Sequence, residues 1–225
     1  MTEPLTPLAD GLWLATEPVR HLGLHLTATM ALMRLGDGTL LAYSPVALTP
    51  ARREAVAALG DVAHVYAPNL FHHTWAGGWA EAFPDARLHA PAGLSAKRPD
   101  LRIDRTFDTD FPIQDTVEEL PIDGFRLEER ALLHRPSGTL VIADLVHNIG
   151  TPDHGWTAAY ARAMGFYDRV ALSRMIRWTA FSDKAAARRS LDTLLARPFE
   201  RLVVGHGAPL TEGARAAVEA AYAWL

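Results

Sequence analysis

Histidines and a carboxylate follow short apolar runs at three separate places in the chain. His72 and His73 come after an apolar run that stops at Pro68. Asp144 closes the segment TLVIAD, and His206 closes the segment RLVVGH. Polar residues at the ends of buried strands lie at the edge of a sheet, where layered α/β proteins bind ligands and metals. We therefore expect the three places to form one site.

Imidazole and carboxylate groups in one cluster suit metal binding and proton transfer. The chain has no cysteine, which excludes disulfides, thiolate zinc sites and cysteine nucleophiles. A serine nucleophile is not supported either, because no Gly-x-Ser-x-Gly elbow occurs. Any metal must be held by imidazole and carboxylate.

Adjacent histidines do not normally face the same site, because neighbouring residues of an extended chain point to opposite sides. Pro68-Asn69 before the pair and Gly77-Gly78 after it favour a cleft facing at least one of the two. We therefore take both His72 and His73 as candidate metal ligands, together with Asp144 and His206. His73 and Asp144 are also the candidate catalytic pair for acid–base chemistry.

Each of these residues also has a structural interpretation. Asp144 could cap a helix, although a carboxylate would be costly to bury unpaired and is better explained at a sheet edge. Gly205 and Gly207 flank His206, and glycine lets the backbone take positive φ and approach a ligand closely. His147 could share the neighbourhood of Asp144 or pack between a helix and a sheet.

The elements that must position these residues fall into two successive strand-rich blocks. Gly36–Gly38 and Pro136–Gly138 predict one hairpin in each block. Helices are interspersed, the first beginning at Thr49-Pro50. The hairpins break the regular alternation of a doubly wound sheet. We predict an α/β (α+β) protein built as a four-layer αββα sandwich, in a single domain spanning residues 1–225.

Several boundaries follow from local sequence. Ser182 and Thr211 have the residue type of helix N-caps. Phe125–His134 is predicted as one strand and Arg169–Thr179 as one helix. Leu101–Pro112 has no apolar period, which predicts an irregular excursion that drapes over a pocket.

Composition limits the class of partner. The chain has 225 residues, 49% of them hydrophobic, and a net charge of −4, which argues against non-specific binding to nucleic acid. No stretch approaches the roughly 18 uncharged apolar residues of a membrane-spanning helix, and the start lacks a secretory signal. We expect a cytoplasmic protein that acts on a small-molecule substrate or ligand, with no nucleic-acid and no membrane partner.

The segments APNLFHHTW, IADLVHN and RLVVGHGAP resemble the metallo-β-lactamase superfamily, whose strand tips carry a histidine-rich loop, a metal-bridging Asp and a late Gly-His. The resemblance spans nearly the whole chain in element order. More narrowly, the segments look like a bacterial branch of that superfamily, a domain-of-unknown-function family. The resemblance implies a metallo-β-lactamase-like sandwich with metal at His72 or His73, Asp144 and His206.

The metal-ligand motif is depleted. The superfamily's loop reads His-x-His-x-Asp-His, and this chain keeps one histidine of the four ligands. It is His73 when positions are counted from the strand end, and His72 when they are counted back from Gly77-Gly78. The middle histidine is missing from Leu120–Arg130, and the early strand that usually ends in Asp ends in Ser44. Too few ligands remain for two ions, whereas three ligands and an open position suit one catalytic zinc.

Three function hypotheses follow. The first is a metal-dependent hydrolase of a small molecule with a reduced, mononuclear site that uses one zinc, iron or manganese ion. The second is a metal-free member of the fold that binds a ligand or partner without hydrolysis, since a fold does not carry its activity with it. The third is a metal-free acid–base enzyme that uses His73 and Asp144.

Overall fold

The computed structural model describes residues 3–113 and 115–225, and within them it contains eleven strands and seven helices. The strands are β1 (Thr6–Ala9), β2 (Leu12–His21), β3 (Leu24–Arg34), β4 (Leu40–Tyr43), β5 (Val62–Tyr66), β6 (Arg87–Ala90), β7 (Arg105–Thr106), β8 (Val117–Pro121), β9 (Arg130–His134), β10 (Thr139–Val141) and β11 (Arg201–Val203). The helices are α1 (Pro50–Ala57), α2 (Ala76–Ala82), α3 (Ala92–Lys97), α4 (Gly155–Met164), α5 (Arg174–Thr179), α6 (Lys184–Leu195) and α7 (Ala214–Ala221). None of the helices in these two ranges combines the length and the apolarity needed to cross a bilayer.

The strands form two sheets. The first contains β1 to β7 in chain order, with antiparallel pairs up to β4 and parallel pairs from β4 onward. The second has the order β11-β10-β9-β8, in which β10 and β11 are parallel and the other pairs antiparallel. The two predicted hairpins join β3 to β4 and β9 to β10. Parallel neighbours need crossover connections, and helices supply them, such as α1 between β4 and β5.

Apolar side chains fill the space between the sheets and cover both outer faces. Met33 and Tyr43 of the first sheet meet Leu132 of the second in one buried cluster. Trp79 of α2 packs on the outer face of the first sheet, and Leu191 of α6 packs on that of the second. Burying a side chain of this size contributes about 1.5–3 kcal/mol. The predicted four-layer αββα sandwich is confirmed.

Two predicted helix caps are wrong, one by one residue and the other by two. Thr49 caps α1 as predicted, and its side chain accepts a hydrogen bond from the first turn. The N-cap of α6 is Asp183, not Ser182, because the Asp183 carboxylate is the group that accepts from the first turn. Thr211 does not cap α7, which begins after Gly213 with no side-chain cap.

Two predicted elements are shorter than expected. Of Phe125–His134, only Arg130–His134 forms a strand, because Glu128 has a φ of 55° and breaks the extended conformation. Of Arg169–Thr179, only Arg174–Thr179 is helical. The chain before α5 instead forms an isolated antiparallel bridge between His147 and Ala171.

Candidate metal centre

Asn69 organises the turn that follows β5. Its side-chain Oδ1 accepts hydrogen bonds from the backbone N–H groups of Phe71 and His72, each 2.8 Å long. Because two donors face one atom, that atom must be the amide oxygen, and the orientation of the amide is fixed by its surroundings. His72 and His73 therefore lie in a turn and not in an extended strand, so the alternation of an extended chain does not decide which of them enters the site.

His72, Asp144 and His206 converge at the strand ends. His72 Nε2 lies 3.3 Å from His206 Nε2 and 3.4 Å from Asp144 Oδ1. His206 Nε2 lies 3.5 Å from the same Asp144 oxygen. The three side chains follow β5, β10 and β11, so the three strand ends noted in the sequence meet at one place. Within the described chain they form a group able to hold a metal ion.

The glycines around His206 permit this approach. A Cβ atom at Gly205 would lie 2.7 Å from His72 Cε1 and 2.6 Å from the Ala143 carbonyl oxygen. Gly207 has a φ of +109°, which residues with a side chain rarely adopt. A larger residue at Gly205 would displace the imidazole of His72 or the strand end beside it.

A hydrogen bond at Nδ1 orients each of the two imidazoles. His206 Nδ1 lies 3.0 Å from the Thr27 carbonyl oxygen, which can only accept, so a neutral His206 presents a lone pair at Nε2. His72 Nδ1 lies 2.8 Å from Ser44 Oγ, a hydroxyl that can donate or accept. When Ser44 accepts, His72 also directs a lone pair at the centre. Two lone pairs and a carboxylate then face one another, an arrangement that a cation stabilises.

Ser44 holds His72 from a strained backbone position. It directly follows β4, is 3% exposed, and has a φ of 53°. A residue other than glycine in this region costs about 1–2 kcal/mol and persists only where its surroundings demand it. Its N–H donates to the Tyr66 carbonyl at 2.8 Å, which ties the end of β4 to the end of β5. The Ser44 hydroxyl is thereby aimed at the imidazole.

Asn69 and Glu129 hold Asp144 in place through hydrogen bonds. Glu129 is fully buried and accepts hydrogen bonds from the N–H groups of Ala143 at 2.8 Å and Asp144 at 2.9 Å. Asn69 Nδ2 donates to Glu129 Oε2 and to Asp144 Oδ2, both at 2.9 Å. One oxygen of Asp144 is therefore held by the amide, and the other faces the two imidazoles.

Burial and neighbouring charges separate the pKa values of these groups. Burial opposes ionisation of Asp144, but His72 and His206 more than offset it and hold the pKa of this carboxyl well below its usual value. Burial, together with the charge of Asp144, raises the pKa of Glu129 to about 7. Burial lowers the pKa of His206, but Asp144 outweighs it and the net shift is upward. The negative charge of the site is therefore concentrated on Asp144.

His73 and His147 lie outside the three-residue group. Of the adjacent histidines only His72 enters it, and His73 Nδ1 instead lies 3.2 Å from Arg98 Nη1. Burial and the nearby cations lower the pKa of His73. His147 is buried with its ring centroid 5.6 Å from that of His206, and burial lowers its pKa to about 4.

A cavity of about 490 Å³ opens beside the centre. His72, Asp144 and His206 line it, and its other walls come from β2, β3, α4, α5 and the loops around them. No residue of Leu101–Pro112 belongs to this lining, so the prediction that this segment drapes over the pocket is wrong for this cavity.

No protein-family model matches the sequence, and no curated protein sequence is significantly similar to it. Solved structures do match. A metallo-β-lactamase from Pontibacter korlensis is 14% identical with a TM-score of 0.64, covering 96% of this chain and 97% of that one. The metallo-β-lactamase FIM-1 from Pseudomonas aeruginosa, in its mono-zinc form, is 11% identical with a TM-score of 0.62, covering 96% and 93%. The metal-soaked Flv1 flavodiiron core from Synechocystis is 14% identical with a TM-score of 0.67, covering 98% of this chain and 60% of that one. The chain has the metallo-β-lactamase fold.

Three supporting residues of this metallo-β-lactamase fold were not predicted as functional: Ser44, Asn69 and Glu129. The sequence shows Ser44 only as the replacement of an Asp and Glu129 only as one of several acids where a histidine is missing. Asn69 signals a turn after Pro68. The structural property common to all three is a polar side chain that is at most 3% exposed.

Proposed function

We propose that the protein is a metal-dependent hydrolase of a small molecule, with one metal ion held by His72, Asp144 and His206. The spacing of the three ligand atoms, 3.3 to 3.5 Å, is the observation that carries this proposal. A tetrahedral ion with bonds of about 2.0–2.1 Å has ligand atoms about 3.3–3.4 Å apart. The three atoms therefore have the spacing of one face of a zinc tetrahedron.

The groups behind the ligands support the same conclusion. Metal-binding histidines donate their other ring N–H to a carbonyl, carboxylate or hydroxyl, which fixes the tautomer. His206 does so to the Thr27 carbonyl, and His72 has Ser44 in the corresponding place. FIM-1, of the same fold, is described in a mono-zinc form. A bound zinc, iron or manganese ion would polarise a carbonyl group and activate water.

The residues at the site and the water molecule have separate roles in the proposed reaction. Asp144 stays ionised because of its low pKa and balances the positive charge of the ion. In hydrolysis the water oxygen bonds to the carbonyl carbon, the bond to the leaving oxygen or nitrogen breaks, and the leaving group takes up the water proton. The products are a carboxylic acid and an alcohol or amine. His73 has no part in this proposal, because its ring lies against Arg98.

A second candidate function, ligand binding without metal, rests on one observation. If Ser44 donates to His72 Nδ1, then His72 Nε2–H can donate to His206 Nε2 across their 3.3 Å separation. The two imidazoles would then satisfy each other without an ion, and the cavity would bind a ligand that is not hydrolysed.

Metal analysis of the protein purified without added metal, followed by zinc titration, separates the two functions. We expect about one equivalent of zinc and hydrolysis of p-nitrophenyl acetate that depends on it. His206→Ala should weaken zinc binding by more than about 100-fold, since even supporting residues are worth about 10–100-fold. His73→Ala is the matched control, because it also removes one imidazole, and it should leave zinc affinity unchanged. Zinc binding that is absent, or equally affected by both substitutions, would contradict the hydrolase proposal.

A further inference from the structure

The cavity beside the centre is much larger than a scissile bond requires. Its volume of about 490 Å³ lies within the roughly 300–1,000 Å³ of sites that enclose a whole small molecule. Apolar side chains form most of its wall, among them Leu24, Leu26, Ile149 and Ile176. Arg20, at the exposed rim, is the one Lys or Arg in the described lining. Away from His72, Asp144 and His206, a charged group deep in the cavity would lack an oppositely charged partner, which is unfavourable.

The mouth of the cavity is also apolar. The large hydrophobic side chains that the structure describes as exposed are Leu22, Phe71, Trp156, Met175 and Trp178. Leu22, Phe71 and Met175 line the cavity itself. Trp156 donates its ring N–H to the Leu22 carbonyl, and Trp178 lies one helical turn after Met175. Exposed apolar groups gathered around one opening indicate a binding surface.

Two buried polar atoms belong to residues of the same wall and have no hydrogen-bond partner among the described residues. They are His147 Nδ1 and Ser173 Oγ, on side chains of residues that are 7% and 3% exposed. Ser173 occupies the N-cap position of α5, yet its hydroxyl does not cap the helix. Both atoms have almost no exposed surface, so a ligand group reaches them only when the wall beside them shifts. A buried polar atom without a partner is destabilising, which favours such a contact.

We infer that the substrate is an uncharged amphiphile, namely an ester or amide with a medium-length alkyl or aryl group that occupies this cavity. This inference rests on the proposed hydrolase function. The cleavable carbonyl lies at His72, Asp144 and His206, and the apolar group lies against the wall that contains Leu26. One oxygen or nitrogen atom on the apolar group hydrogen-bonds to Ser173 or His147. The apolar mouth receives the part of the substrate that extends beyond the cavity.

A series of p-nitrophenyl esters tests the apolar part, because the leaving group stays constant while the acyl chain grows. On the zinc-loaded protein, below the micellar concentration of each ester, kcat/KM should rise up to about fourfold per methylene. The octanoate should therefore exceed the acetate by more than about tenfold. Leu26→Ser should remove most of this preference, because it should lower octanoate hydrolysis more than acetate hydrolysis. Leu59→Ser is the matched control, because Leu59 is also half-buried but lies outside the cavity, and it should keep the preference.

Hydroxyl-substituted octanoates test the polar atoms. One position of the hydroxyl along the chain should raise kcat/KM by about threefold to tenfold, the contribution of one hydrogen bond. Ser173→Ala or His147→Phe, each of which removes one of the two atoms, should abolish this gain. Ser173→Ala should not lower the melting temperature, because the hydroxyl it removes has no partner among the described residues. Equal rates for acetate and octanoate, or a hydroxyl that never raises the rate, would overturn the inference.

Octanol binding measured by calorimetry separates this inference from the proposed function. If no ester is hydrolysed but octanol binds and Leu26→Ser weakens its binding, the cavity inference stands and the hydrolase proposal fails. If acetate is hydrolysed but octanol does not bind, the hydrolase proposal stands and the amphiphile inference is wrong.

Discussion

Asn69→Asp tests the network beneath the centre with a change of one atom. The new carboxylate has the shape of the amide, and its Oδ1 can still accept from the N–H groups of Phe71 and His72. The two Nδ2 hydrogen bonds to Glu129 and Asp144 are lost, because no donor remains. Three carboxyl groups would then meet where Asn69 is fully buried.

The magnitude follows from the two lost bonds. A hydrogen bond to a charged group contributes about 1.5–3 kcal/mol, so their loss costs about 3–6 kcal/mol of the free energy of unfolding. Typical domains have about 5–15 kcal/mol in all. The added carboxyl has a folded-state pKa above its unfolded value, because burial and two carboxylates oppose its ionisation. Stability of the variant should therefore be lost as pH rises and be partly regained as pH falls, when a protonated carboxyl can donate again.

Urea denaturation of the wild type and the variant at about pH 8 and about pH 5.5 measures both effects. Asn148→Asp is the matched control, since the Asn148 amide donates one exposed hydrogen bond at 2.8 Å to the Ala208 carbonyl. The control should cost less than about 1 kcal/mol at either pH. A cost for Asn69→Asp no greater than that of the control, or one that grows as pH falls, would refute the bridging role of Asn69.

Further substitutions probe the residues that position the ligands and, separately, the acid stability of the first sheet. Ser44→Ala should weaken zinc binding about 10–100-fold by releasing His72 Nδ1, as measured by zinc titration. Ser44→Gly also lacks the hydroxyl, but glycine tolerates the φ of 53°. Its free energy of unfolding should therefore be about 1 kcal/mol higher than that of Ser44→Ala in thermal denaturation. Gly205→Ala should destabilise the protein by about 1–3 kcal/mol and weaken zinc binding, because its Cβ would lie 2.7 Å from His72 Cε1. The pair His64 and His89, with ring nitrogens 2.8 Å apart, tests acid stability. Burial lowers the pKa of His64 to about 4 and that of His89 to about 3. As pH falls, the same histidines in the unfolded chain, with a pKa near 6.5, are protonated first, so the folded state loses stability. His89→Phe should recover about 2–3 kcal/mol of the stability that the wild type loses between pH 7 and about pH 4.5, measured by urea denaturation at both values.

The strand ends could be predicted from sequence because they depend on local patterns. An apolar run fixes each strand, and the polar residue after it must lie at the sheet edge, which placed His72, Asp144 and His206 correctly at three strand ends. The choice between His72 and His73 could not be predicted. It depends on the Asn69 side chain, which accepts from two backbone N–H groups and turns the chain between them.

Glu129 is a clearer example of a residue whose role local sequence cannot predict. Its buried carboxylate is acceptable only because the N–H groups of Ala143 and Asp144 and the amide of Asn69 all donate to it. Those donors come from two other parts of the chain, so no local pattern distinguishes Glu129 from the neighbouring Glu128. The same holds for Asp183, which caps α6 in place of Ser182, since both residue types favour that position.

The depleted ligand set predicts how much zinc the protein can hold. A second ion about 3.5–4 Å from the first would need further ligands beside the first three. Within the described chain, the neighbouring candidates are already engaged: Glu129 accepts three hydrogen bonds, and all four hydrogen-bonding positions of Asn69 are used. His147 is the nearby imidazole that remains without a hydrogen bond at Nδ1.

Zinc titration should therefore saturate at about one equivalent per chain, because a single additional imidazole does not make a second site. Competition against a chelating dye gives the stoichiometry, and His147→Phe removes this imidazole while keeping an aromatic ring beside Phe166. The variant should bind the same single equivalent as the wild type. A second equivalent of comparable affinity that survives in His147→Phe would mean that Asn69 and Glu129 release Asp144 when metal binds, and the network would then be part of the metal site and not only its support.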